Sequence, residues 1–532
     1  METVVGAFND ALLKHQAPYD LPRGILNRHV RSEIEGIKGR RLSVVEAVIG
    51  VSQAFKYLNN RSKGLFMGKR TTGPDWPLTW LIVKKEIIAN GRNSKTAVAL
   101  VTMTLLLLLS AHAMAIDYRN RLNNWSVNHD RRRDPIVGGS VKYDLSDGDF
   151  FHRVGVAPPA PMHPPQPFSA LIKGMDGEMD RTVSVSQRIV FGPRQDEPAT
   201  SAVFDTPDTS FVLKLLVSLF ALMFSLDAVT REKESRTLRA MMSQPVRRLG
   251  LILSKSLGTS ISLLAPFAIA YSAEILYLRL AVGLPNSGED MVRFLIVFGM
   301  ASLYGVVFVH IGLFISTITT RTKIAVTTAL LSWATIVLIL PNAAVLTAKL
   351  LAPTPSYNQL NASLYEERER ILREESGADP MTRSSPERPI SRQTLLRLFE
   401  IERQSTDNYL AGKKNQNRQA RLFASLSPAG ALTFGLSDLA GTGVDSYSSY
   451  LDMLRSGRDV MLDALKQRLG LPLQAGDKLV QEALETVANK QRRAQPLGTG
   501  LRSSVIPIIS LLAWAVFFGL AACWRFKRYD VR

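Results

Sequence analysis

Arg231 to Lys255 reads REKESRTLRAMMSQPVRRLGLILSK, and it stands directly between two long apolar runs. Asp227 closes the run before it. From there the pattern predicts a short amphipathic helix over about 230–244, with Leu238, Met241 and Met242 sharing one face. Glu232 and Glu234 come early, and Glu232 is spaced to pair with Arg236 one turn on. Pro245 ends the helix, because the residue before a proline is pushed out of helical geometry. Arg247, Arg248 and Lys255 then hold the start of the next run at a polar surface.

Working outward, the 532 residues are 46% hydrophobic, and those residues concentrate into runs long enough to cross a bilayer. Six such runs are read: Thr96 to Ile116, Phe211 to Val229, Leu257 to Leu278, Val292 to Thr317, Ile324 to Leu346, and Val505 to Trp524. Each is expected to be a helix, since a segment in hydrocarbon must satisfy its own backbone. The short basic stretches KKEIIANGRNSK, the quoted one, RTK at 321–323 and the closing RFKRYDVR fall on one side if both termini are cytoplasmic. Glu289 and Asp290, with Arg279 and Arg293, give the loop on the other side a mixed charge. The expected fold is an α-helical integral membrane protein of six spans, multi-pass with both termini cytoplasmic.

The net charge of +19 follows from these flanking Lys and Arg, and no nucleic-acid-binding motif accompanies it. One cysteine, Cys523, excludes an intrachain disulfide and any cysteine-based metal site. The first apolar run begins near residue 96, so a cleavable leader is not expected, and Met67 offers a second candidate start. Residues 1–77 read as a basic cytoplasmic segment without recognisable chemistry, partly helical at SVVEAVIGVSQAFKYLNN.

Two long insertions are expected on the far side, 117–208 and 347–502. The first holds six prolines between Pro158 and Pro167, the composition of a stiff connector. The second carries apolar stripes at helical spacing, one from Tyr447 through Tyr450, Leu451, Leu454, Met461, Leu462 and Leu465 to Leu469, another from Val480 to Val487. The remaining blocks are 78–116, 209–346 and 503–532, which hold the spans.

The stretch LDAVTREKESRTLRAMMSQPVRRLGLILSKSLG resembles the corresponding part of ABC-2 type transporter permeases. The matching positions are Asp227, Glu232, Glu234, Thr237, Leu238, Ser243, Pro245, Val246, Arg247, Lys255 and Gly258. The family usually has Gly before the Thr-Leu pair; Arg236 stands there in this chain, which is expected to keep the helix continuous and add a charge. PLTWLIVKKEIIANGRNSKTAVAL resembles the family's interfacial helix, with Lys85 and Glu86 as its Lys-Glu pair. PPQPFSALIKGMDGEMDRTVSVS, SLSPAGALTFGLSDLAGTG and the C-terminus resemble the branch that includes the gliding-motility and copper-enzyme-maturation permeases.

The resemblance implies an exporter-like arrangement of the six spans and a permease role. Two ATPase subunits would bind the cytoplasmic face at the 230–244 helix, and a second permease subunit, identical or homologous, would complete the assembly. The pattern G-x-x-x-x-G-K-[ST] occurs nowhere in the chain, so ATP and Mg are expected on the partner and no cofactor on this one. An extracytoplasmic partner protein could dock on the insertions. The competing reading is a receptor or mechanical transmitter on the same scaffold.

Isolated polar residues read more plainly. His112 and His310 are expected as neutral packed imidazoles, and Glu274 as an interfacial partner of Arg279. His152 and His163 have no companion ligands in sequence for a metal.

Overall fold

The computed structural model describes residues 76–138, 159–160, 164–179, 183–185, 189–191, 207–242, 247–376, 391–468 and 496–529. The segment before residue 76, His152, His163, Ser243 to Val246 and the Val480 to Val487 stripe lie outside these residues.

Among the described residues six helices are long and apolar enough to cross a membrane: Ser94–Val127, Thr209–Glu234, Arg248–Val282, Gly288–Ile318, Thr322–Leu351 and Leu497–Lys527. They correspond one to one with the six apolar runs. The elements are α1 (Trp76–Gly91), α2 (Ser94–Gly138), α3 (Asp176–Met179), α4 (Thr209–Glu234), α5 (Thr237–Met242), α6 (Arg248–Val282) and α7 (Gly288–Ile318). They continue with α8 (Thr322–Ala334), α9 (Leu340–Leu351), α10 (Tyr357–Ser376), α11 (Arg392–Ala424), α12 (Pro428–Ala440), α13 (Val444–Arg468) and α14 (Leu497–Lys527). Three strands, β1 (Pro159–Ala160), β2 (Val183–Val185) and β3 (Ile189–Phe191), form a small antiparallel sheet in that order.

The ends of the long helices are set by local chemistry. Asp208 caps α4 by accepting from the Phe211 N–H. Ser287 and Asp290 close a reciprocal capping box at the start of α7. The fifth span is not one regular helix: a π turn over Thr335–Ile339 separates α8 from α9. Pro341 lacks an N–H and its ring crowds the carbonyl of Val337, so the wider turn absorbs the conflict.

The core is one apolar cluster shared by α2, α4, α6, α7, α8, α12 and α14, with Phe267, Tyr304, Val307 and Phe308 fully enclosed. Residues 347–502 read from sequence as an insertion throughout, yet α12 packs inside this cluster. The Leu426 carbonyl accepts from Trp514 Nε1 at 2.8 Å, the Gly435 carbonyl from Ser504 Oγ at 3.1 Å, and a Cβ on Gly500 would lie 2.7 Å from the Asp438 carbonyl. These contacts run α12 antiparallel along the first half of α14.

The two insertions meet. Ile189 of β3 packs with Leu410 of α11 and with Tyr450, Leu451 and Leu454 of α13, so the first half of the predicted stripe, Tyr447 to Leu454, is a helix-packing face, and Leu469 lies outside the described residues. His310 bridges Ser256 Oγ and the Ala515 carbonyl, each at 2.8 Å, and His112 Nδ1 meets the Tyr277 hydroxyl at 2.7 Å. Both imidazoles join neighbouring helices by a hydrogen bond; His310 is half-buried as a packed residue, whereas His112 lies exposed on the bundle surface. Glu274 differs from expectation. It is fully buried and accepts from Thr209 Oγ1, while Arg279 lies over the Phe294 ring at 5.3 Å. Five residues along a helix put two side chains about 140° apart, on different faces, so the interfacial pair is not formed.

Candidate functional site

The helix that sequence periodicity starts near residue 230 is not a separate element. Helix α4 continues without interruption to Glu234, so Asp227 lies inside it and Glu232 and Glu234 occupy its last turn. The chain breaks at Ser235 and Arg236, and α5 is only the six residues Thr237–Met242. Arg236 sits at φ 59°, the left-handed region that strains a residue with a Cβ. The expectation of a continuous helix through Arg236 is therefore overturned. The position the family usually gives to Gly is where the backbone turns, and here an arginine makes the turn.

The last two turns of α4 carry a polar side chain toward each of its neighbours. Asp227 pairs with Lys95 at the start of α2. Glu232 accepts from Lys255 Nζ of α6 at 2.7 Å, and Lys255 reaches Glu86 of α1 at 3.0 Å. Lys233 Nζ donates to the carbonyls of Ser316, Thr317 and Thr319 at 3.0, 2.7 and 2.9 Å, satisfying the open C-terminus of α7. Glu234 accepts from the Thr322 N–H at 2.7 Å and its hydroxyl at 2.8 Å, satisfying the first turn of α8. Four residues of α4 thus bind four helices, and Lys255 carries the grip to a fifth. The pairing of Glu232 with Arg236 expected from spacing is not made, because the left-handed turn removes Arg236 from the α4 face.

Lys255 is 1% exposed, one cation held between two carboxylates. Burying an ammonium is tolerated only with such partners, and losing it would leave the acids facing each other. Gly258, one turn on, faces the same helix: a Cβ there would come within 2.7 Å of Glu86 Cβ and 3.3 Å of the Val83 carbonyl. Lys255 and Gly258 together dock α1 onto α6, one by charge and one by close approach. Sequence reading placed Lys255 at the surface and missed this, because Glu232 and Glu86 lie 23 and 169 residues away; only the short spacing from Lys255 to Gly258 was visible.

Beneath the hub lies a small apolar cluster of Ile82, Val229, Leu238, Leu251, Ile252 and Phe526, with Met241 and Met242 packed against it. Leu238 is 3% exposed, so the apolar face foreseen for this segment is correct, and burying it is worth about 2 kcal/mol. Arg231, Ser235, Arg236, Thr237 and Arg247 face outward, as does Lys85 of α1. Pro245 is outside the described residues. The site is a rigid clasp with a polar, mostly cationic outer face.

The sequence profile of the ABC-2 family transporter proteins matches residues 80–531. This chain belongs to the ABC-2 transporter family. A search of curated protein sequences found no match. The chain is thus the permease component of an ABC transporter, and this ABC-2 protein carries the clasp just described. Among the described residues no group of His, Cys, Asp and Glu is arranged to hold a metal ion.

Proposed function

We propose that this ABC-2 permease component receives force at residues 227–247 from ATPase subunits on separate chains, at the cytoplasmic face of a bacterial inner membrane. The observation that carries the reading is the clasp itself: Asp227, Glu232, Lys233 and Glu234 bind α2, α6, α7 and α8, and Lys255 extends the grip to α1. A push on the short segment after Glu234 is shared by five helices, which suits a rigid-body change between two packed states. The cationic residues at this end support its cytoplasmic placement, with both termini inside.

Two such permease subunits, identical or homologous, work with two ATPases, which bind ATP and Mg. The insertions 117–208 and 347–502 face the periplasm, where they shape the exit or meet a partner protein.

The test is site-directed crosslinking in native membranes. Cysteines at Arg236 and Thr237 are expected to crosslink to a nucleotide-hydrolysing chain, and a cysteine at Asn123 to give none. Labelling of Arg236→Cys from the periplasmic side, or crosslinks only to chains without nucleotide hydrolysis, overturns the reading.

A further inference from the structure

At the end of the bundle away from the hub, residues 164–179 enter the core. Phe168, Ala170, Leu171 and Ile172 are buried in the same apolar cluster as the long helices. The Phe168 ring lies 5.2 Å from Phe294 of α7, with Arg293 stacked over it at 4.6 Å. Two ion pairs hold the rim: Lys173 to Asp117 at 3.6 Å and Asp176 to Arg121, both on α2. Gly174, at φ 51°, fits against Thr442, whose hydroxyl bonds the Ile172 carbonyl at 3.1 Å and whose carbonyl accepts from Met175 at 2.8 Å. A Cβ on Gly174 would lie 2.5 Å from Thr442 Oγ1, so the two segments interlock.

The segment is also tied to the first residues of α4. The Leu171 carbonyl accepts from the Thr209 N–H at 3.2 Å, and the Lys173 N–H donates to the capping carboxylate of Asp208 at 3.2 Å. Helix α4 is one uninterrupted rod of 26 residues, about 39 Å at 1.5 Å per residue, from this contact to the hub. A displacement at Glu232 to Glu234 therefore reaches the inserted segment without passing through any loop.

We propose that residues 164–179 are a gate that α4 opens when its hub end is displaced, and this rests on the hub being the force-receiving site. The latch is built to release. Losing one member of a buried ion pair leaves the other uncompensated, so these two pairs are where the closed state can be broken. The apolar residues behind it occlude the bundle while the latch is closed. Gly174 and Thr442 link the gate to the turn after α12, so opening also moves the helix packed along α14.

The experiment labels Ser169→Cys, a small change at a fully buried position, with a membrane-impermeant maleimide. It uses right-side-out vesicles carrying the whole transporter, on a Cys523→Ser background, with Asn123→Cys as the exposed control. The first arm needs no nucleotide: Asp176→Asn combined with Lys173→Gln is expected to raise the Ser169→Cys labelling rate about tenfold, as the opening equilibrium shifts. The second arm traps the complex with ATP and vanadate on the cytoplasmic side, and Ser235→Cys, the reporter at the hub, is labelled in inside-out vesicles, where the maleimide reaches that face. Nucleotide is expected to change access at both Ser235 and Ser169. A response at Ser235 with none at Ser169, or no effect of the latch variants, overturns the gate. No response at Ser235 overturns the force-receiving reading instead, while the first arm still decides whether the segment releases.

Discussion

Glu232 and Lys255 are 23 residues apart in sequence and 2.7 Å apart in space, and this one bond fixes the last turn of α4 to the first turns of α6. Around it Lys233 reaches the end of α7 and Glu234 the start of α8. The outward face is left to Arg231, Ser235, Arg236, Thr237 and Arg247.

Removing the shared cation should cost more than removing the whole set. Lys255→Met is expected to destabilise the purified protein by about 3 kcal/mol, because Glu86 and Glu232 are left close, partly buried and uncompensated. Adding Glu86→Gln and Glu232→Gln should recover most of the loss. Thermal unfolding of the three forms in detergent checks this; equal losses in the single and triple variants would refute it.

Arg236 should behave as a strained turn. Arg236→Gly is expected to be neutral or to stabilise by up to about 1 kcal/mol, since the left-handed backbone no longer opposes a Cβ. Arg236→Val should destabilise by at least about 1 kcal/mol, because β-branching suits that region worst. Denaturation midpoints compare the two, and hydrogen exchange over 231–242 locates the change.

Gly258→Ala should loosen α1. Its added methyl meets Glu86 Cβ and the Val83 carbonyl, the latter being backbone that cannot swing aside. A cost of about 1–3 kcal/mol is expected, as for overpacking elsewhere. Limited proteolysis between Trp76 and Gly91 should accelerate, whereas Gly498→Ala, which has open space, should leave the pattern unchanged.

The helical insertion should carry an acid-sensitive joint. Burial pushes the Asp407 carboxyl up, but hydrogen bonds from Arg458 and Arg455 outweigh it and leave it below the ordinary range. A depressed carboxylate contributes stability that is complete above its unfolded value of about 3.9 and is lost as pH falls through the folded value. Hydrogen exchange in α11 and α13 should therefore quicken below about pH 4. Asp407→Asn should show less protection at neutral pH and a flatter acid dependence. An unchanged profile would place the sensitivity elsewhere.

The sequence by itself determined the six spans and marked residues 227–258 as the stretch that resembles the family, because bilayer-length apolar runs and flanking charges are local signals. It also marked Lys85, Glu86 and the two blocks holding Gly174 and Thr442. What it could not give was which side chain meets which, since Glu86–Lys255 and Ile172–Thr442 join positions 169 and 270 residues apart. Only the tertiary structure turned Glu232 toward α6, tied the exposed Glu234 to the start of α8, broke the helix at Arg236 and laid α12 along α14. The physical reason is that buried polar groups must find partners, and in a helical bundle the partners lie on other helices, set by packing and not by spacing along the chain.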